Sequence, residues 1–306
     1  MKSEVRPEEP RPSTHPKTDP KLQHPLRRFD GITQRTLLYM VLSVGVVMML
    51  LPLLWMITTS LSNNQYALSF PPKFFPTAIH WDNYLRIFSA SHLGLYLRNS
   101  IIITVPSIVG EVITNSMAAY AFARLRAPGR RVIFLIVLST LMIPGEVTLI
   151  PTFILFRYFH WINTFWPLIV PSFFGNAFNI FLMRQFISSI PVELDEAAKI
   201  DGLSYFGIWR RIILPLSIPS MATVAIFTFN ANWGSFLGPL IYINNPKLYP
   251  LALGVYNMTQ TGNVFVPPQW NMVMAGSMLL TLPMILVYFF GQRYVYEGAN
   301  VLGRVL

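Results

Sequence analysis

The sequence contains no cysteine. That excludes a disulfide framework and any metal held by thiolates. Lysine is scarce, with six in the chain and none after a glycine. The phosphate-cradling G-x-x-x-x-G-K-[ST] loop is therefore absent, and any ATP chemistry belongs to another chain. The five histidines, His15, His24, His80, His92 and His160, form no i, i+4 pair that would grip a metal. No catalytic constellation and no metal-ligand set is visible. Charge is sparse as well: 12% of residues are Asp, Glu, Lys or Arg, against 53% hydrophobic. A chain of 306 residues has the length for two soluble domains, but that balance argues against them.

What the chain has instead is long apolar runs, several of them beyond the ~18 residues that mark a membrane span. Six spans are predicted, at Leu37–Thr58, Asn99–Phe122, Val132–Phe156, Trp166–Ile187, Leu216–Ile243 and Met272–Phe290. The third is interrupted by Pro144-Gly145-Glu146, and Pro52, Pro171 and Pro283 would kink others. The fold class is an all-α membrane protein, with the lipid bilayer as its solvent. Residues 1–30 are polar and punctuated by proline, which predicts a disordered cytoplasmic tail. It does not read as a signal peptide, because the first apolar run starts late and no cleavage site follows. Residues 31–306 form the membrane domain. Two loops, Ser60–Leu97 and Asn244–Gln269, separate spans on one side; the first, rich in proline and aromatics, reads as an ordered lid.

The net charge of +10 would suggest nucleic acid as the partner of a soluble protein. Here the basic residues lie at span ends, so membrane topology accounts for them and no nucleic acid is implied. Eighteen of the 23 fall in the tail, in RLRAPGRR (124–131), between Arg184 and Arg211, and at Arg293 and Arg304. The remainder, Lys73, Arg86, Arg98, Arg157 and Lys247, lie on the other side. The bias predicts both termini, and the polar loop 188–215, in the cytoplasm.

That loop is the longest polar interruption in the C-terminal two-thirds. Pro191 suits a first helical position, and Glu193, Asp195 and Glu196 crowd the first turns, where the helix dipole favours acid. Asp195 and Lys199 are spaced for a helix pair. Asp201-Gly202 stops the helix, Ser204 caps a second, and Pro215 closes the unit. In the second helix Tyr205, Ile208, Trp209 and Ile212 are predicted to share a face.

Glu196-Ala197-Ala198, Asp201-Gly202, Ile212, Leu214 and Pro215 match without a gap the EAA loop of ABC importer permeases. The chain resembles that family from about Leu37 to Gly303. The segments NSIIITVPSIVGEVITNSMAAYAFARLR, MIPGEVTLIP and GQRYVYEG resemble its carbohydrate-uptake branch, maltose-type permeases in particular. The resemblance implies a permease subunit of a bacterial or archaeal cytoplasmic membrane, importing a sugar, oligosaccharide or related polyol compound. It implies four kinds of contact: a homologous second permease chain, two ATPase subunits that bind ATP and Mg, an extracytoplasmic substrate-binding protein, and lipid. It assigns Glu193, Glu196, Ala197, Ala198, Asp201, Gly202 and Pro215 to ATPase coupling. Where many relatives read Trp-Asn-Asp-Phe-Leu-Trp-Pro-Leu, this chain reads Trp233-Gly234-Ser235-Phe236-Leu237-Gly238-Pro239-Leu240, so no single sugar is implied.

Within the spans Glu111 is the most informative residue. An ionised carboxylate at mid-span costs ~2.5–3.5 kcal/mol. Thr104, Ser107, Glu111, Thr114, Asn115 and Ala118 fall on one helical face, a polar stripe that points into a bundle or a watery path. Two readings follow: a contact on the substrate path, or a carboxylate holding helices together. Asn115, Asn230, Asn232 and Ser235 are the other path candidates. Glu146, beside the Pro144-Gly145 break, is expected to satisfy freed backbone groups. A rival class, a proton-coupled secondary transporter, would use Glu111 and Glu146 as relays. It predicts internal repeats with paired broken helices, and no such repeat is found.

Overall fold

The structure is a computed structural model that describes residues 31–71, 73–76, 78–260 and 267–303. The expected tail, 1–30, lies outside the described residues. Contacts divide the chain into two units, Met1–Pro52 and Leu53–Leu306. In the first, the described residues form the opening turns of α1 (Gly31–Ser60), a helix with Pro52 inside it. Every side chain described from Arg35 to Pro52 is exposed, as suits a span that meets lipid on its open faces.

The second unit holds the rest. After α2 (Asn64–Ala67) and α3 (Asp82–Ala90) comes α4 (Leu93–Arg124), whose 32 residues exceed the ~20 needed to cross a bilayer. It begins earlier than the expected Asn99 because Leu93 and Tyr96 are buried in a core beneath the loops. In the 60–97 loop Asn83 Nδ2 donates to the carbonyls of Ser60 and Ser62, both at 2.9 Å. Asn99 Nδ2 similarly reaches Lys247 O and Tyr249 O of the other loop, at 2.9 and 3.0 Å.

The third span is two helices, α5 (Arg130–Ser139) and α6 (Gly145–Tyr158), bent by 99° at the Pro144 break. Glu146 is exposed in the first turn of α6 and makes no bond to freed backbone among the described residues, contrary to expectation. The dipole position alone accounts for an acid there. The fourth span is also broken. It comprises α7 (Trp166–Ile169), a 3-10 turn at Val170–Phe174, and α8 (Ala177–Ser189). Pro171 sits harmlessly at the start of the 3-10 turn; the break falls at Gly175, with φ +83°, and Asn176 caps α8.

Next come α9 (Glu193–Ile200), α10 (Tyr205–Ile208), a π-turn at Trp209–Ile213, and α11 (Leu214–Leu216). A bend of 79° then leads into α12 (Ile218–Trp233). The expected fifth span therefore starts after Ser217 and stops at Gly234, and α13 (Leu237–Tyr242) is separate. Finally α14 (Leu251–Asn257) lies in the second loop and α15 (Trp270–Gly303) forms the sixth span. No strand occurs among the described residues. Among the described residues four helices are long and apolar enough to cross a membrane, and up to six if each bent pair is one span.

Two apolar cores lie at opposite ends of α4. One gathers Leu93, Tyr96, Trp233, Leu251 and Met272; the other gathers Tyr120, Met183, Ile187, Ala198, Ile208 and Ile213. The second core seats the α9–α10 pair. Gly202, at φ +82°, places its N–H on Lys199 O and that of Leu203 on Ala198 O, both at 3.0 Å. This double bond pattern is a Schellman stop, and it needs a left-handed residue. Ser204 Oγ accepts from Gly207 N at 3.2 Å and caps α10.

Three local expectations change. Pro191 precedes the cap residue Val192 instead of opening the helix. Pro215 lies inside the continuous helical run Tyr205–Leu216, so the unit ends at Ser217. The buried face of the second helix is Ile208, Trp209 and Ile213, with Ile212 only half-buried and Tyr205 exposed. The π-turn explains this, because its i→i+5 spacing brings Ile213 beneath Ile208.

Asp195 is nearly buried, and its partner is Arg124 at the end of α4, with Nε and Oδ2 3.4 Å apart. Lys199, the expected partner, lies over the Tyr205 ring at 5.1 Å. Burial pushes the Asp195 carboxyl above its ordinary range, against the pull of Arg124 and then Lys199. Arg124 Nη2 also donates to Ile190 O. One side chain thus holds both the entry to α9 and its first turn. Asp195→Ala should lower unfolding stability in detergent by about 3–5 kcal/mol, since it strands a buried cation. The Arg124→Met/Asp195→Leu double variant should recover most of the loss. Single variants as heat-stable as the parent chain would show that the pair does not hold the loop.

Candidate functional site

The polar stripe on α4 does face the bundle interior. Thr104, Ser107 and Asn115 are buried, and Glu111 is half-buried. Glu111 Oε2 accepts from Asn179 Nδ2 of α8 at 2.6 Å, Thr228 Oγ1 of α12 at 2.9 Å and Asn115 Nδ2 at 3.4 Å. Asn115 Oδ1 in turn accepts from the backbone N–H of Asn176 at 2.8 Å. That bond catches the chain where the fourth span breaks. Gly175 is required there twice over: its φ is positive, and a Cβ would stand 3.0 Å from Asn115 Oδ1. Thr114 Oγ1 adds a bond to Phe173 O at 3.0 Å.

Beside this hub opens a cavity of about 440 Å3 lined by Glu111, Asn176, Asn179, Thr228 and Asn232, with Leu141, Phe178, Phe227 and Ala231. The Phe178 and Phe227 ring centroids are 6.1 Å apart. A few convergent polar groups among apolar walls is the usual make-up of a small-ligand site. Glu111 joins three helices, the second of its two sequence readings, and it also lines the cavity.

Of the path candidates, Glu111 and Asn232 line this cavity and Asn115 supports it from behind. Asn232 Nδ2 donates to Thr228 O at 2.9 Å. Asn230 and Ser235 are not among the lining residues. Sequence reasoning missed Asn176, Asn179 and Thr228. The Gly175-Asn176 pair carried a stop-and-cap signal that could have found the first. A lone threonine or asparagine in an apolar span carries no such signal. Glu146 shares no cavity or bond with Glu111 among the described residues, and nothing supports the relay reading.

The outward face of the α9–α10 pair is the second candidate. Glu193, Glu196, Ala197, Asp201 and Gly202 are exposed, and Ile200 is 87% exposed. Ala198 points the other way, into the chain's own core. Pro215 lies in the helix below the pair.

Known proteins are similar to this chain in sequence and fold. A probable ABC transporter permease of Pyrococcus horikoshii is 36% identical over 67% of this chain and 74% of its own length. The polygalacturonan/rhamnogalacturonan transport system permease YtcP of Bacillus subtilis is 30% identical over 88% of this chain and 96% of its own. A crystal structure of a bacterial ABC transporter that imports the acidic polysaccharide alginate matches with a TM-score of 0.77 and 25% identity, covering 87% of this chain and 98% of that one. Residues 112–299 match the family described as the inner membrane component of binding-protein-dependent transport systems. That span runs from the residue after Glu111, through the α9–α10 pair, into the last helix, and the chain belongs to this family.

Proposed function

We propose that the chain is one of two homologous permease subunits through which an ATP-driven importer moves a sugar, oligosaccharide or related polyol compound into the cell. The observation that carries this reading is the α9–α10 pair. It presents an exposed acidic and apolar face while a buried ion pair fastens its base to α4. An ATPase subunit gripping that face would move α4, and with it the carboxylate that lines the cavity. Glu196 supplies the charged contact, Ala197 permits close approach, and Ala198 sets how deeply α9 beds into its own core. Two ATPase subunits, binding ATP and Mg, would serve the two permeases. An extracytoplasmic binding protein would dock on the loops 60–97 and 244–269, where Phe70, Phe75 and Trp81 are exposed.

The cargo class rests on the relatives and on the cavity's chemistry. Amides, a hydroxyl and a carboxylate match the dense hydroxyls of a carbohydrate, and two phenylalanine rings offer apolar faces for its C–H edges. The basic bias supports an orientation with both termini and the α9–α10 pair in the cytoplasm. Because the chain lacks native cysteine, single reporters are clean. An impermeant thiol reagent outside intact cells should label Gln65→Cys and Lys247→Cys but spare Ser204→Cys. Outside labelling of Ser204→Cys would overturn the orientation.

Glu111→Gln keeps shape and most hydrogen bonding while removing the charge. Uptake should change by about tenfold, the size of one charge-assisted hydrogen bond of ~1.5 kcal/mol, with the melting point unmoved. Glu111→Leu should lower the melting point as well. Normal uptake kinetics in Glu111→Gln would confine the residue to holding helices.

Gly202→Val should misdirect α10, since a β-branched residue resists positive φ. Glu196→Lys should oppose a basic partner. In both, the membrane complex should still assemble while ATP hydrolysis loses its stimulation by loaded binding protein. Stimulation at the parent level in both variants would remove the coupling role.

A further inference from the structure

The turn between α4 and α5 carries a basic cluster that neither coupling nor the substrate path uses. Arg126, Arg130 and Arg131 surround an open cavity of about 670 Å3. A second cavity, of about 330 Å3, shares Arg130 and Arg131 and runs inward to Arg184, Phe122 and Phe134. Arg184 is held in place: its guanidinium stands 4.2 Å over the Phe134 ring, and Nε donates to Phe122 O at 3.4 Å. Arg130 is braced through a bond from Nη1 to Leu125 O. Among the described residues none of these four arginines is in an ion pair. The neighbouring acid, Asp195, is already taken by Arg124. Four cations around two joined cavities, with no carboxylate among the described residues to balance them, call for an anion.

Position decides which anion. The turn joins the end of one candidate span, Leu93–Arg124, to the start of the bent pair that begins at Arg130. It therefore lies at a membrane surface whichever way the chain is oriented. Directly after the arginines, Val132, Ile133, Leu135 and Ile136 are exposed on α5. A soluble anion would make no use of that apolar strip, whereas acyl chains would cover it below a bound headgroup. We propose that this cluster binds the phosphate of an anionic phospholipid, its acyl chains lying along the exposed strip of α5. Basic pockets between spans suit such headgroups. The lipid would sit beside Arg124, the residue that fastens α9, so membrane composition would bear on the coupling pair.

The test uses the intact transporter, purified with its partner subunits and examined by native mass spectrometry. Dioleoyl-phosphatidylglycerol and dioleoyl-phosphatidylcholine are titrated in parallel, with inorganic phosphate as a competitor in a third arm. Phosphatidylglycerol should be retained at least fivefold better than phosphatidylcholine, about fivefold being the worth of one arginine at an anionic surface. Arg126→Gln/Arg131→Gln, both at exposed positions, should assemble normally and lose most of that preference. Equal retention of the two lipids, or an unchanged preference in the double variant, would overturn the site. Displacement of the lipid by millimolar inorganic phosphate would make it a soluble-anion site and refute the lipid assignment.

Discussion

One carboxylate oxygen, Glu111 Oε2, takes donors from three helices midway along an apolar span. Hydrocarbon offers no hydrogen bonds, so a polar group at mid-span must be satisfied by the protein or by a wet cavity. Three donors offset the insertion penalty of the acid and at the same time fix where α8 and α12 meet α4. The same requirement shapes the broken fourth span. Thr114 and Asn115 give side-chain bonds to the backbone freed at the break, one to Phe173 O and one from Asn176 N–H.

From that hub in its middle α4 runs to Arg124, and the hub and the α9–α10 pair are therefore joined by one rigid element. An α-helix transmits displacement along its axis because its own ladder resists stretching. Thirteen residues, about 20 Å at 1.5 Å each, separate Glu111 from Arg124. The link at the far end is ionic and nearly buried, with Asp195 on one side and Ile190 O on the other. The bent junctions, at Pro144 and Ser217, lie outside this line.

Much of this was legible in the residues alone. The acidic first turn of α9, its glycine stop and the serine cap follow from local chemistry and lie where that chemistry puts them, while the apolar runs marked the spans but not their ends and breaks. Glu111 stood out because a charge inside an apolar run is costly. What stayed hidden depends on distance in sequence. Asp195 had a plausible local partner in Lys199, and only the fold brings Arg124 closer. Thr228 and Asn179 look like ordinary span residues until α12 and α8 are packed against α4. The π-turn escaped for a different reason: one extra residue per turn leaves no compositional mark, yet it exchanges Ile212 for Ile213 on the buried face.

The glycine stop between α9 and α10 has one more implication. Nothing lies within 4 Å of the place where a Cβ on Gly202 would stand. Crowding at the Cβ position therefore does not select glycine there. What favours glycine over a residue with a side chain is the sign of φ, +82°. The demand is for handedness, not for room, and the turn between the two helices follows the left-handed conformation of one achiral residue before any partner touches it.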